Sequence, residues 1–353
     1  MTQIPPSAPQ VPQAISAVFE RLSEKLALVE RAMRDQLTGE SDIMLAIGDH
    51  VLSSGGKRMR PALVLLTAEL CGYTGPRAVQ IAAAIELLHT ATLLHDDVVD
   101  FSDLRRGQPS ANAVWGNRRA VLGGDFLYAR SSNIIIDDGS LEIVERFADT
   151  IRLMAEGELL QLEFSFDVGA TEAQYYKVID RKSARLLSVA CEVGAILGGA
   201  TRGERRNVAD FGHELGLAFQ LRDDALDYEA TALEMGKRGH TDLREGKVTL
   251  PLLLTLKRCT GNEHEEISSV LKRARRADAE GLSATDPNAT DPVTERDIER
   301  VVELVDRYRG APDTVRRAEE HVAKANGSIA AFPDGPARQA LLAASDYAAR
   351  RGH

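Results

Sequence analysis

Apolar residues along this chain recur three and four apart, and no stretch keeps the strict alternation of a β-strand. Ile15, Val18, Phe19, Leu22, Leu26 and Val29 mark one face of a helix over residues 15–37. "GGK" at 55–57 reads as a loop, Pro61 suits the first turn of a helix, and "CGYTG" closes it. A long helix is expected from Arg77 to Asp103, ended by "RGQPSAN". Further helices are expected at 116–137, 139–164, 171–199, 204–231, 247–259 and 264–276, with three short ones starting near 294, 312 and 335. The stretch 279–292 is polar and proline-containing, and reads as a surface loop. The expected fold is therefore all-α, a large single-domain helical bundle. Residues 1–14 form a tail and 15–353 the domain, because helical patterns continue through the middle without a linker.

Charge narrows the function. The 353 residues carry a formal net charge of -10, which argues against nucleic acid as a partner, since phosphate contacts need a basic surface. The three cysteines, Cys71, Cys191 and Cys259, are far apart and form no CxxC, as in a reduced, cytoplasmic protein. The proline-rich start, "MTQIPPSAPQVP", lacks the apolar core of a signal peptide. The most apolar stretch, "IAAAIELLHTATLLH", is interrupted by Glu86, His89 and His95, and is expected to be a core helix too polar and too short to span a bilayer.

One short pattern occurs twice. "LLHDDVVD" (93–100) and "LRDDALD" (221–227) both contain D-D-x-x-D at the end of an apolar stretch. On a helix, residues four apart share a face, so Asp96 and Asp100 point together with Asp97 beside them. Asp223, Asp224 and Asp227 repeat the arrangement. Such carboxylates repel unless a cation lies between them, and all-oxygen donors suit Mg²⁺, with Mn²⁺ as a substitute. A solvated acidic turn is the ordinary reading of one such motif; two argue for ions gripping an anion between them. Basic residues identify that anion as phosphate: "SGGKRMRP" places Lys57, Arg58 and Arg60 before a helix N-terminus, and Arg105 and Arg106 supply guanidinium forks.

"GGKRMRP", "LLHDDVVD…DLRRG", "GDFLYARS", "AEGELLQLEF", "RKSARLLSVACEVGAILGG", "FQLRDDALDY" and "GK…DLREGKVTLP" together resemble the trans-polyprenyl diphosphate synthases, above all the octaprenyl- and solanesyl-type long-chain enzymes, over roughly residues 15–350. The resemblance implies the isoprenoid synthase fold with a central active-site cavity. It also implies ionisation of an allylic diphosphate and attack by isopentenyl diphosphate, repeated over many cycles. It implies metal ligation by Asp96, Asp97, Asp100 and Asp223, with Asp224 and Asp227 lining the second cluster. Arg105, Lys182 and Lys237 would hold the allylic diphosphate, and Lys57, Arg60, His89 and Arg106 the isopentenyl diphosphate. Ser183 and Gln220 stand where the family keeps polar groups near the cation. Ser183 replaces the usual threonine, and His240 stands where a glycine is expected.

The growing tail is expected to run down the bundle past Thr92, Ala91 and Leu88, with Ser132 on the next helix leaving a deep floor. Small residues at Ala91 and Ser132 predict a product of octaprenyl length or longer. The family is typically homodimeric; no anchor is expected, though so apolar a product would suit loose membrane association. Three other readings compete: a shorter-chain farnesyl or geranylgeranyl synthase, a non-catalytic subunit of a heteromeric synthase, and a terpene cyclase. Intact aspartate motifs argue against the subunit, and "GGKRMRP" argues against the cyclase.

Overall fold

Helices dominate the computed structural model, which describes residues 13–39, 41–53, 58–105, 107–229 and 239–350. In chain order they are α1 (Gln13–Asp35), α2 (Asp42–Ser53), α3 (Met59–Leu70), α4 (Arg77–Val99), α5 (Ala111–Trp115), α6 (Asn117–Asp137), α7 (Leu141–Phe164) and α8 (Glu172–Ile179). A π-helical turn, Asp180–Ala184, leads into α9 (Arg185–Leu197). The second half comprises α10 (Arg202–Glu229), α11 (Thr241–Arg244), α12 (Leu250–Leu256), α13 (Gly261–Ala279), α14 (Glu295–Arg307), α15 (Gly310–Ser328) and α16 (Pro336–Arg350). β1 (Leu104–Arg105) and β2 (Gln108–Pro109) form a minimal antiparallel ribbon, with Leu104 opposite Pro109. The expected all-α bundle is observed.

Local chemistry explains the boundaries. Thr171, Thr260 and Thr294 each form a reciprocal capping box at the start of α8, α13 and α14, satisfying amide groups that a helix leaves unpaired. Pro251 occupies the first turn of α12, where its missing N–H costs nothing. The helix expected to reach Asp103 ends instead at Val99. Phe101 turns left-handed (φ 51°), and the Ser102 N–H bonds the Asp97 carbonyl at 2.9 Å, which closes the helix. The expected 171–199 helix is divided by the π turn, and α2 and α5 were not apparent from periodicity.

Burial follows the periodicity. One face of α1 contributes Ile15, Val18, Leu22 and Val29 to the main core, together with Leu63, Leu66, Ile81 and Ile85 from α3 and α4. Helix α4 is apolar nearly all round, and is accordingly enclosed by α1, α3, α6 and α9. It is long and apolar enough to cross a membrane, contrary to the expectation from its stretch 81–95, but most of its apolar window is buried in the bundle. Helix α10 packs on α9 and α15. A second core cluster joins α13 and α14, and includes Ala284 and Val293. The 279–292 segment is thus partly built into that core and is more than a surface insertion.

Candidate active site

Two aspartate-bearing helices border the site. At the end of α4, Asp96 and the C-cap residue Asp100 are half-buried while Asp97 is buried; on α10, Asp223 and Asp227 are half-buried while Asp224 is buried. The cause is helical geometry: the first and last residues of D-D-x-x-D share a face, and the middle one lies about 100° away. Asp97 spends a carboxylate oxygen on Arg105, 2.7 Å from Nε and 2.6 Å from a terminal nitrogen. Both Asp224 oxygens accept bonds, from the Tyr175 hydroxyl at 2.5 Å and the Gln220 amide at 2.8 Å. Asp97 and Asp224, expected among the metal ligands, therefore face inward as anchors. Asp96 and Asp100, with Asp223 and Asp227, stay half-buried.

A bridge joins the two helices. Both Asp227 oxygens accept backbone N–H groups that open α11, from Thr241 at 2.9 Å and Asp242 at 3.1 Å. Beyond α11, the Lys247 ammonium bonds Asp100 at 2.9 Å and Glu245 at 2.5 Å. Lys182 pairs with Glu158 of α7 at 2.7 Å. Its neighbour Ser183 donates to the Gln220 amide oxygen at 2.7 Å. The π turn carrying both is gripped at two glycines. A Cβ at Gly157 would lie 2.7 Å from the Lys182 amide nitrogen, and one at Gly216 would lie 2.6 Å from the Ala184 Cα. Only glycine allows α7 and α10 to approach this turn so closely, and π turns are frequent at functional sites.

Beside them lies a cavity of about 120 Å³, lined in part by Gln161, Tyr175, Lys182, Ser183, Gln220, Asp224, Asp242 and Lys247, while Asp96, Asp97, Asp100, Asp223 and Asp227 are not among its lining residues. Leu88, Ala91, Thr92 and Ser132 are not among its lining residues. Leu88 and Ala91 are buried in the main core, and Ser132 bonds the Tyr128 carbonyl on α6. Arg60 and His89 are half-buried on α3 and α4. Arg58, grouped by sequence with the phosphate ligands, instead turns inward to Glu86 at 3.1 Å and the Leu52 carbonyl at 3.0 Å, tying the start of α3 to α4. Lys57, Arg106 and Lys237 lie outside the described residues. His240 adopts a left-handed backbone (φ 61°), which explains why glycine was expected there, and its Nδ1 lies 2.7 Å from the Asp227 carbonyl oxygen.

The electrostatics call for cations. Burial pushes the Asp96 carboxyl up; Lys182 opposes this and Asp100 adds to it. Burial likewise raises Glu158 and Asp227, and lifts Asp224 to about 7. Asp242 stands well above its ordinary range through burial and the nearby charges of Asp227 and Asp224. Burial alone would lower Lys247, but Glu245, Asp100 and Asp242 outweigh it and hold the ammonium charged. Carboxylates thus outnumber the cations facing them among the described residues. Among those residues no three acidic, histidine or cysteine side chains converge on one point. The oxygen-only donors of the two motifs would fit a hard ion such as Mg²⁺, which is held by one or two carboxylates plus substrate phosphate. Glu158, Asp242, Glu245 and Tyr175 were not assigned from sequence. The first three stand in the stretches "AEGELLQLEF" and "DLREGK", where their burial beside the motifs was not legible.

Two aspartate motifs beside a cavity lined by Lys182, Lys247 and Asp224, in an all-α bundle, define an enzyme of the isoprenoid synthase type. The chain matches the polyprenyl synthetase family over residues 41–285. It is 38% identical over 337 residues to the octaprenyl diphosphate synthase of Escherichia coli, covering 96% of this chain and 99% of that one. It is 36% identical to an all-trans-nonaprenyl-diphosphate synthase (geranyl-diphosphate specific) of Rhodobacter capsulatus, covering 92% and 94% of the two chains. A crystal structure of a Caulobacter crescentus polyprenyl synthase complexed with calcium and isoprenyl diphosphate superposes with a TM-score of 0.88 at 36% identity, covering 96% and 98%. The chain belongs to the polyprenyl synthetase family, and it is a prenyltransferase.

Proposed function

We propose that this enzyme extends an allylic diphosphate, farnesyl or geranylgeranyl, with isopentenyl diphosphate units to an all-trans polyprenyl diphosphate of octaprenyl length or longer. The observation that carries the reading is the pair of aspartate motifs at the end of α4 and on α10, linked through α11 and Lys247 beside one cavity. Similarity to octaprenyl and nonaprenyl synthases supports the long product.

In this reading Asp96, Asp100, Asp223 and Asp227 hold Mg²⁺ or Mn²⁺, which when bound neutralises diphosphate charge and makes it a better leaving group. Arg105, oriented by Asp97, and Lys182, oriented by Glu158, grip the allylic diphosphate, with Lys237 as a third contact. Lys247, charged and central, is placed to move from Asp100 to phosphate oxygens as the substrate enters. Ser183 presents its oxygen to the developing allylic cation, with the Gln220 carbonyl oxygen accepting the Ser183 proton beside it. Arg60, His89, Lys57 and Arg106 hold isopentenyl diphosphate. The departing diphosphate takes the proton, so no separate protein base is required.

Leu88, Ala91, Thr92 and Ser132 set product length in this reading. Exposed apolar side chains on α6 and α7, including Val121, Leu122, Ile136, Leu159 and Leu162, supply a face for a homodimer. The cytoplasm is the proposed compartment, with loose membrane contact through the product.

The test is incubation of the purified chain with farnesyl diphosphate, labelled isopentenyl diphosphate and Mg²⁺, followed by chromatography of the dephosphorylated products. A ladder ending in one long polyprenol is expected, and a ladder stopping at geranylgeraniol indicates a shorter-chain synthase. No incorporation, with EDTA making no difference, would indicate the non-catalytic subunit. Ala91→Phe is expected to shorten the product; the same length from this variant would sink the tunnel reading.

A further inference from the structure

We infer that Tyr175 is a positioning residue for prenyl transfer: through Asp224 and Gln220 it sets the direction in which Ser183 offers its hydroxyl oxygen to the reacting centre. The inference rests on the prenyl-transfer reading above. Four side chains form one chain of hydrogen bonds along the cavity wall: Tyr175 to Asp224 at 2.5 Å, Gln220 to Asp224 at 2.8 Å, and Ser183 to Gln220 at 2.7 Å. All four line the cavity, and Tyr175 and Asp224 are buried at 7% and 3% exposure.

With Asp224 ionised, the donor order in this chain has one solution. An aspartate carboxylate only accepts, so the Tyr175 hydroxyl donates to one oxygen and Gln220 must turn its NH₂ to the other. That choice points the Gln220 carbonyl oxygen at Ser183. Ser183 then donates its proton to Gln220 and keeps its lone pairs for the cavity. The direction matters because a hydroxyl's oxygen end stabilises a carbocation, whereas its proton end repels one. Serine has no β-branch to restrict its χ1, so the orientation of this hydroxyl depends on the chain of bonds more than a threonine's would. Without the Tyr175 hydroxyl, Asp224 can turn, the Gln220 amide can reverse, and Ser183 can present its proton.

The test compares wild-type enzyme with Tyr175→Phe and Asp224→Asn. The readouts are kcat, KM for both diphosphates, the fraction of allylic diphosphate released as the free alcohol, half-saturating Mg²⁺, and thermal melting. For Tyr175→Phe, kcat is expected to fall about tenfold, the size of one hydrogen bond's net contribution. Both KM values should stay within about twofold, the alcohol fraction should rise, and melting should change little. Asp224→Asn preserves the order of bonds, since its amide donates to the Tyr175 oxygen and accepts from Gln220, and should keep most of kcat at unchanged half-saturating Mg²⁺. Wild-type kcat and alcohol fraction in Tyr175→Phe would overturn the inference. So would a loss of activity in Asp224→Asn accompanied by a higher Mg²⁺ requirement, because Asp224 would then be an ion ligand. If Tyr175→Phe does not fold, the Asp224→Asn result still decides. Absence of incorporation by the wild-type enzyme would count against the prenyl-transfer reading itself, before any variant is compared.

Discussion

The α4 and α10 aspartate motifs have the same letters but different surroundings. In both, the middle aspartate is buried and its flanking partners are half-buried. On α4 the inward Asp97 meets the charged Arg105, and Asp100 meets Lys247. On α10 the inward Asp224 meets only neutral donors, Tyr175 and Gln220, and Asp227 meets backbone N–H groups. At the first motif Asp97 and Asp100 are balanced by cations on flexible side chains. At the second, Asp224 and Asp227 are held by neutral donors, those of Asp227 being backbone N–H groups. One motif pattern thus yields an adjustable site and a fixed one, and the difference lies in what the neighbouring elements bring up to each.

The comparison is tested hardest by asparagine substitutions in each motif. Asp96→Asn should lower incorporation of labelled isopentenyl diphosphate by at least about a hundredfold, because the adjustable cluster loses a charge facing the diphosphate. Asp224→Asn should keep most of the activity, since the asparagine preserves the order of bonds with Tyr175 and Gln220. Equal losses would break the distinction.

A smaller effect is expected from Lys247→Met. Without divalent ions, Asp100 and Glu245 lose their shared counter-charge inside the site, and Tm should fall by on the order of 5 °C. Adding Mg²⁺ should raise Tm further in this variant than in the wild type, by calorimetry in matched buffers. An equal rise in both would mean that Lys247 does not compete for the same carboxylates.

The smallest effect belongs to His240→Gly. Relief of the left-handed backbone, about 1 kcal/mol, opposes loss of the contact with the Asp227 carbonyl, of similar size. The urea midpoint should move little. A large fall would show that His240 holds α11 against α10, making the fixed cluster more dependent on one side chain than the Asp227 bonds indicate.

Much of the fold was legible from the chain. Periodicity located α1, α4, α6, α7, α10 and the later helices, since a helix that buries one face must space its apolar residues accordingly. It overran the end of α4 because the left-handed turn at Phe101 has no glycine to announce it. It missed the π turn for a related reason: the glycines that permit the turn, Gly157 and Gly216, lie on other helices. The site was readable through its repeated D-D-x-x-D. The contributions of Glu158, Asp242 and Tyr175 were not, because each matters only through a partner far away in sequence. Arg58 was misread for the opposite reason: a basic residue among phosphate ligands gives no sign that Glu86 lies behind it.

The sequence by itself determined the helical class, the two acidic motifs and which aspartates share a helix face, because these depend on spacing within single segments. Tertiary structure alone decided which donors each carboxylate meets. Whether an aspartate becomes a ligand or an anchor depends on the donor that another helix delivers to it, and on how much water packing leaves around it. Neither is a property of the segment in which the aspartate stands.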